Sequence, residues 1–119
     1  MAVQPFTTWG QQFVGSTLRF SWTLANGDTG QPVAVTDALG PWLASVVSGT
    51  LGTGGSVSWE GSVDGGTTWF TLNDDTGAAL TMAALNTNKA VKERPVLVRP
   101  HCTAGDGTTS LLCVFVYRR

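Results

Sequence analysis

Apolar residues in this chain recur at every second position, the period of a strand with one buried face, and no segment carries the three-to-four spacing of an amphipathic helix. Val57, Trp59, Gly61 and Val63 alternate with Ser58, Glu60 and Ser62. Val14, Leu18, Phe20, Trp22 and Leu24 share one parity, and Thr17, Arg19, Ser21 and Thr23 share the other. Pro41 to Leu51 reads the same way, with Trp42, Ala44 and Val46 against Leu43, Val47 and Leu51. Gly, Asn and Asp bound these runs, as turns require. The 119 residues suit a single domain, and 15 Gly with 17 Thr supply turn and pleated-surface residues in quantity. An all-β fold follows, an antiparallel β-sandwich of jelly-roll or immunoglobulin-like type with six to eight strands.

Asp64-Gly65-Gly66 joins the run ending at Val63 to a return strand through Trp69, Phe70 and Leu72, the clearest hairpin in the sequence. Val33 to Val35 reads as a short strand. Val96 to Thr103 and Thr109 to Tyr117 are expected to form a terminal hairpin centred on Asp106-Gly107. Ala78 to Asn88 is the one stretch where a helical turn is expected. Residues 1–10 show no periodicity, so an extended N-terminal arm is expected there, preceding a sandwich over residues 11–119. The last strand stands apart. Leu111, Cys113, Phe115 and Tyr117 line one face and Leu112, Val114 and Val116 the other, so it is either central and covered twice or completed by a neighbouring subunit.

Catalytic sets are hard to assemble. His101 is the only histidine, and its neighbour Cys102 points to the opposite face of a strand, so no nucleophile–base dyad forms there. His101, Cys102 and Cys113 lack metal-ligand spacing, and Asn73-Asp74-Asp75-Thr76-Gly77 lacks the downstream Glu of a calcium loop. The expectation is no enzyme, no cofactor and no metal. Cys102 and Cys113 are expected either as buried thiols or oxidised to a disulfide. The N-terminus lacks a basic region and a long apolar run, so cytoplasmic synthesis is expected. The longest uncharged stretch, Ala38 to Trp59, carries five Gly and a Pro, which excludes a membrane helix. Exposed aromatics suited to stacking on sugars reduce to Trp9 and Trp42, leaving a carbohydrate-binding module as an alternative.

Charge is sparse, at 13% of residues, and lopsided. Residues 1–88 hold one cation against six carboxylates, a net of −5, and residues 89–119 hold six cations against two, a net of +4. Without interleaved aromatics the cations make no nucleic-acid footprint. Docking against protein is expected instead, with Pro5, Phe6 and Trp9 of the arm as contacts and Lys89, Lys92, Arg94, Arg118 and Arg119 as orienting charges.

Ser62-Val63-Asp64-Gly65-Gly66-Thr67-Thr68-Trp69 matches the Ser-x-Asp-x-Gly-x-Thr-Trp hairpin known as the Asp box. Its roles are structural: Asp64 accepts from backbone donors, Ser62 begins the turn, Gly66 supplies an unusual φ and Trp69 covers the hairpin. A single occurrence does not make a propeller. With Ser58-Trp59-Glu60-Gly61, Val98-Arg99-Pro100 and Thr103-Ala104-Gly105-Asp106-Gly107-Thr108-Thr109-Ser110-Leu111, the stretch from Val57 to Tyr117 resembles small β-sandwich virion proteins of tailed bacteriophages. The resemblance covers about half the chain. It implies a capsid decoration (cement) protein on the outer head surface, with the major capsid protein and copies of itself, as trimer or dimer, for partners. A tail or fibre component is the alternative it also implies.

Overall fold

The computed structural model describes residues 2–9, 17–35 and 41–118. These form twelve strands: β1 (Val3–Gln4), β2 (Thr7–Trp9), β3 (Thr17–Ala25), β4 (Thr29–Gly30), β5 (Val33–Ala34), β6 (Trp42–Thr50), β7 (Ser56–Ser62), β8 (Phe70–Thr71), β9 (Thr81–Met82), β10 (Thr87–Ala90), β11 (Leu97–Ala104) and β12 (Ser110–Arg118). The fold is an all-β sandwich of two sheets. A seven-stranded sheet runs β1-β4-β11-β7-β8, with β5 also on β11 and β9 on β7, and a five-stranded sheet runs β10-β6-β12-β3-β2. Every pairing is antiparallel except β1 with β4. The count exceeds the expected six to eight because five strands of seven to nine residues are supplemented by short pieces of two to four.

The parity of the long strands sorts residues as the alternation predicts. Phe20, Trp22 and Leu24 of β3, Trp42, Ala44 and Val46 of β6, Val57 and Trp59 of β7, and Leu111, Cys113, Phe115 and Tyr117 of β12 all enter one core. Aromatic rings organise its centre: Trp59 meets Trp22 edge-on at 5.7 Å, and Phe115 lies 5.5 Å from Trp42 and 6.0 Å from Trp59. Edge-to-face placement sets the positive rim of one ring against the negative face of another. The Trp22 indole N–H donates to Gln31 O at 3.0 Å, whereas those of Trp42 and Trp59 have no acceptor among the described residues. Each such orphan costs about 1–3 kcal/mol, a penalty that only extensive ring burial offsets.

Three expectations change. The stretch from Ala78 to Asn88 forms no helical turn; Thr81 and Met82 pair with β7, placing Leu80 and Met82 in the core, and β10 pairs with β6. Strands β11 and β12 form no hairpin. The first belongs to the seven-stranded sheet and the second to the five-stranded one, so Gly105 to Thr109 is an arch between layers. Residues 2–9 are no free arm. Val3 and Gln4 pair with Thr29 and Gly30 in one sheet, and Thr7 to Trp9 pair with Arg19 to Ser21 in the other. Phe6, between them, turns its ring onto Phe20 at 5.2 Å and Trp22 at 6.3 Å.

Asp28 fastens this segment. Its buried carboxylate accepts from the Ala2 N–H at 3.0 Å, the Gln4 side-chain amide at 2.9 Å and the Ala25 N–H at 3.0 Å. Burial opposes the charged form, but those donors outweigh it and hold the carboxyl below its usual pKa.

Candidate interaction surface

Strand β12 lies between β6 and β3, so both of its hydrogen-bonding edges are filled from within the chain. Its core-facing row is covered by the opposite sheet. The other row, Leu112, Val114 and Val116, lies on the outside of the five-stranded sheet, where register sets Val116 beside Leu43 and Arg19, Val114 beside Ser45 and Ser21, and Leu112 beside Ser48 and Thr23. The ladder slips between Leu112 and Cys113, leaving Val47 as the extra residue of a bulge. Gly49 closes that bulge at φ +119°, where an added Cβ would lie 2.1 Å from the Ser110 carbonyl oxygen. The result is a group of branched apolar side chains on two strands, Leu43 and Val47 of β6 and Leu112, Val114 and Val116 of β12, flanked by Arg19, Ser21 and Thr23 of β3. Leu43 and Val47 are 39% and 38% exposed, and Val114 and Ser45 are recessed at 5% and 3%.

The opposite outer face, on the seven-stranded sheet, has another character. Arg99 Nε donates to Glu60 Oε1 at 2.9 Å, and His101 Nδ1 lies 3.1 Å from Glu60 Oε2. Ser58 and Thr81 share a hydrogen bond at 3.1 Å. The Arg99 guanidinium lies 4.0 Å from the Trp69 ring centre, a cation–π contact that fixes the edge of the patch. Polar residues on this face alternate with core residues, as a solvated antiparallel sheet requires. His101 and Cys102 diverge, the first into this cluster and the second into the core.

The Asp-box turn forms as its sequence predicts. Ser62 Oγ donates to Asp64 Oδ1 at 2.8 Å and accepts from the Gly66 N–H at 2.9 Å. Asp64 Oδ1 also accepts from the N–H groups of Thr67 at 3.1 Å and Thr68 at 2.9 Å. Gly66 has φ +97°, and Trp69 Nε1 donates to its carbonyl at 3.0 Å. The Thr68 amide, then the Ser62 hydroxyl, lower the Asp64 pKa to about 2. Two further aspartates act alike. Asp74 accepts from Thr76 Oγ1 at 2.6 Å, and its pKa is lowered chiefly by that hydroxyl. Asp106 accepts from Thr108 Oγ1 at 2.6 Å and from Thr53 N at 2.8 Å, which ties the arch to the loop between β6 and β7 and holds its carboxyl well below the usual range. All three are turn-building groups.

The residues expected to meet a partner do not converge. Pro5 is exposed, but Phe6 spends its ring on the chain's own core, and Trp9 is placed by its backbone opposite Arg19. Lys89 Nζ lies 3.8 Å from Asp74 Oδ2. Lys92 is exposed, and the Arg94 guanidinium lies 5.4 Å from the centre of the Trp42 ring. Arg118 ends β12 opposite Thr17, and Arg119 lies outside the described residues. The charge halves of the chain therefore interleave in space: Glu60 with Arg99 and Asp74 with Lys89 each join an acidic-half residue to a basic-half one. Trp42, expected to be open to sugars, is 3% exposed and faces the core. Both cysteines are buried free thiols, and burial pushes the Cys113 pKa up to about 12. Among the described residues no group of three or more His, Cys, Asp or Glu side chains is placed to hold a metal.

A crystal structure of a cupin domain from Bordetella pertussis Tohama I resembles this chain, with a TM-score of 0.54 and 8% identity over 99% of this chain and 95% of that one. At that identity the likeness shows the fold. No protein-family model matches the sequence, and neither does any curated protein.

Proposed function

We propose that this chain is a non-enzymatic structural subunit of a tailed-bacteriophage virion, a capsid decoration protein that stabilises capsomer contacts on the outer head surface. The observation that carries the reading is the contrast between the two outer faces. One presents hydroxyls, an ion pair and a histidine, with Val3 exposed at its edge; the other presents exposed Leu43 and Val47 beside half-buried Leu112 and Val116. A chain with so few charges gains little colloidal protection in isolation, and an apolar sheet face suits packing against protein. The resemblance of Val57 to Tyr117 to virion sandwiches supplies the setting.

The work of such a subunit is burial. An association interface of about 1,600 Å² is typical of stable complexes, and many copies on one shell make even modest contacts additive through multivalency. The partners are the major capsid protein and further copies of this chain. Mass spectrometry of separated heads and tails tests the assignment. Recovery with heads supports it, and recovery with tails alone replaces it with the tail or fibre reading.

A further inference from the structure

We propose that Asn26 is the position at which this chain deamidates spontaneously, through a succinimide closed with Gly27, and that the isoaspartate left there releases the N-terminal segment from Asp28.

Succinimide closure needs an Asn or Asp followed by a residue whose amide nitrogen is unhindered, and glycine, with no side chain, hinders it least. Three such pairs occur: Asn26-Gly27, Asp64-Gly65 and Asp106-Gly107. The structure locks two of them. Asp64 Oδ1 accepts from the Ser62 hydroxyl and the Thr67 and Thr68 amides, and the Asp106 carboxylate accepts from Thr53 and Thr108. Those donors keep both carboxyls ionised, and a carboxylate is a poor electrophile. Asn26 is exposed at the second position of a tight turn, and among the described residues no hydrogen bond holds its side chain. The other three asparagines lack a following glycine. Asn73 and Asn88 are also tied by side-chain hydrogen bonds to Glu93 and Ser45, and Asn86 precedes the β-branched Thr87.

The reaction balances with water alone. The Gly27 nitrogen bonds to Asn26 Cγ, the Cγ–Nδ2 bond breaks, and the Gly27 proton leaves with Nδ2 as ammonia, carried by solvent. Water then opens either carbonyl of the imide, giving aspartate or isoaspartate. The Gly27 N–H donates to Cys102 O at 3.1 Å, so the turn must open before the nitrogen attacks, and the folded chain reacts more slowly than the unfolded one. The consequence lies in the turn itself. Asp28 N–H donates to Ala25 O at 3.1 Å, and Gly27 carries the chain round at φ +83°. Isoaspartate adds one carbon to the backbone of this four-residue turn and leaves a new carboxylate two residues from Asp28. Asp28 then loses its placement against the Ala25 N–H, and with it the carboxylate that holds Ala2 and Gln4.

Ageing the purified chain at mildly alkaline pH and body temperature, followed by peptide mapping that separates aspartate from isoaspartate, tests this beside a denatured sample. The native chain should convert at Asn26 before any other position. The aged form should melt several degrees lower and open residues 2–9 to limited proteolysis. Aged Asn26→Gln should keep its melting temperature, and freshly purified Asn26→Asp, which carries the charge without the extra carbon, should melt with wild type. A native chain left intact at Asn26 while the denatured one converts overturns the site, as does earlier reaction at Asn73, Asn86, Asn88 or either Asp-Gly pair. An isoaspartate form that melts with wild type and resists protease overturns the release of the segment. An Asn26→Asp variant as unstable as the aged chain assigns the effect to charge and overturns the role of the added carbon.

Discussion

Phe6→Ala separates an integrated N-terminal segment from a loose one. The Phe6 ring is half-buried and meets Phe20 and Trp22 edge-on. Truncating a fully buried Phe costs about 3–5 kcal/mol, and half that burial sets the expected loss at about 2 kcal/mol. The two ring contacts fall within this figure, since edge-to-face pairs contribute about 0.5–1.5 kcal/mol each. A domain of this length shifts its midpoint by about 4 °C per kcal/mol, so Tm should fall by about 8 °C. Thermal denaturation followed by near-ultraviolet circular dichroism reads the change directly, because Trp22 sits against the truncated ring. Deleting residues 2–9 removes an edge strand from each sheet and should lower Tm further. A surface substitution on a free arm would stay within about 0.5 kcal/mol. A Phe6→Ala variant melting within 2 °C of wild type, about that limit, would refute the reasoning.

Acid sensitivity follows from the turns. Asp28, Asp64, Asp74, Asp106 and Glu93, which accepts from the Asn73 N–H and side-chain amide at 2.7 Å each, all have lowered pKa values, so their stabilisation is complete above the unfolded value near 4 and is lost as pH falls through the folded ones. For Asp64 that window runs from 3.8 down to about 2. Tm should therefore drop steeply between about pH 4 and 2, less so in Asp64→Asn; a flat profile contradicts the hydrogen-bond assignments. Gly49→Ala places a methyl group against the Ser110 carbonyl at a left-handed φ and should cost about 2 kcal/mol or more by chemical denaturation, whereas a neutral result would mean the bulge is absent. Cys102 and Cys113 should resist thiol reagents until denaturant unfolds the chain, as burial and the raised Cys113 pKa require; prompt labelling of the native protein would exclude this core.

Local patterns were readable from sequence, and partner choice between distant strands was not. Alternation through Phe20, Trp22 and Leu24 identifies a strand and its buried face because period two is a property of adjacent residues. The Asp box is legible for the same reason: its hydrogen bonds close within Ser62 to Trp69. The arch from Gly105 to Thr109 carries the turn chemistry of a hairpin, and nothing in those residues states that β12 inserts between β6 and β3. Likewise Asp28 reads as a turn residue, and its hold on Gln4 spans 24 positions that no local pattern encodes. A strand of two residues such as β1 leaves no periodicity at all. The Glu60 and Arg99 pairing spans 39 positions and depends on antiparallel register between β7 and β11, so a charge imbalance along the chain carried no information about charge separation in space.

Pairing of these charges within the chain changes the physics of association. Sequence alone suggests orientation by opposite charges, a mechanism that salt screens. In the folded chain Lys89 and Arg99 already have carboxylate neighbours, and the outward row of β12 from Leu112 to Val116 is apolar. Strand addition to β12 is closed as well, because β6 and β3 occupy both of its edges, so a partner meets this strand through outward side chains such as Leu112 and Val116. Contact made through such a face draws on apolar area, and apolar burial strengthens in sulfate, which is excluded from protein surfaces, and persists in sodium chloride. Association measured from low salt to 1 M sodium chloride should hold or tighten. A dissociation constant that rises steeply over that range, with a slope equivalent to several ion pairs, would return the interface to the basic residues after β10 and remove the apolar row as its seat.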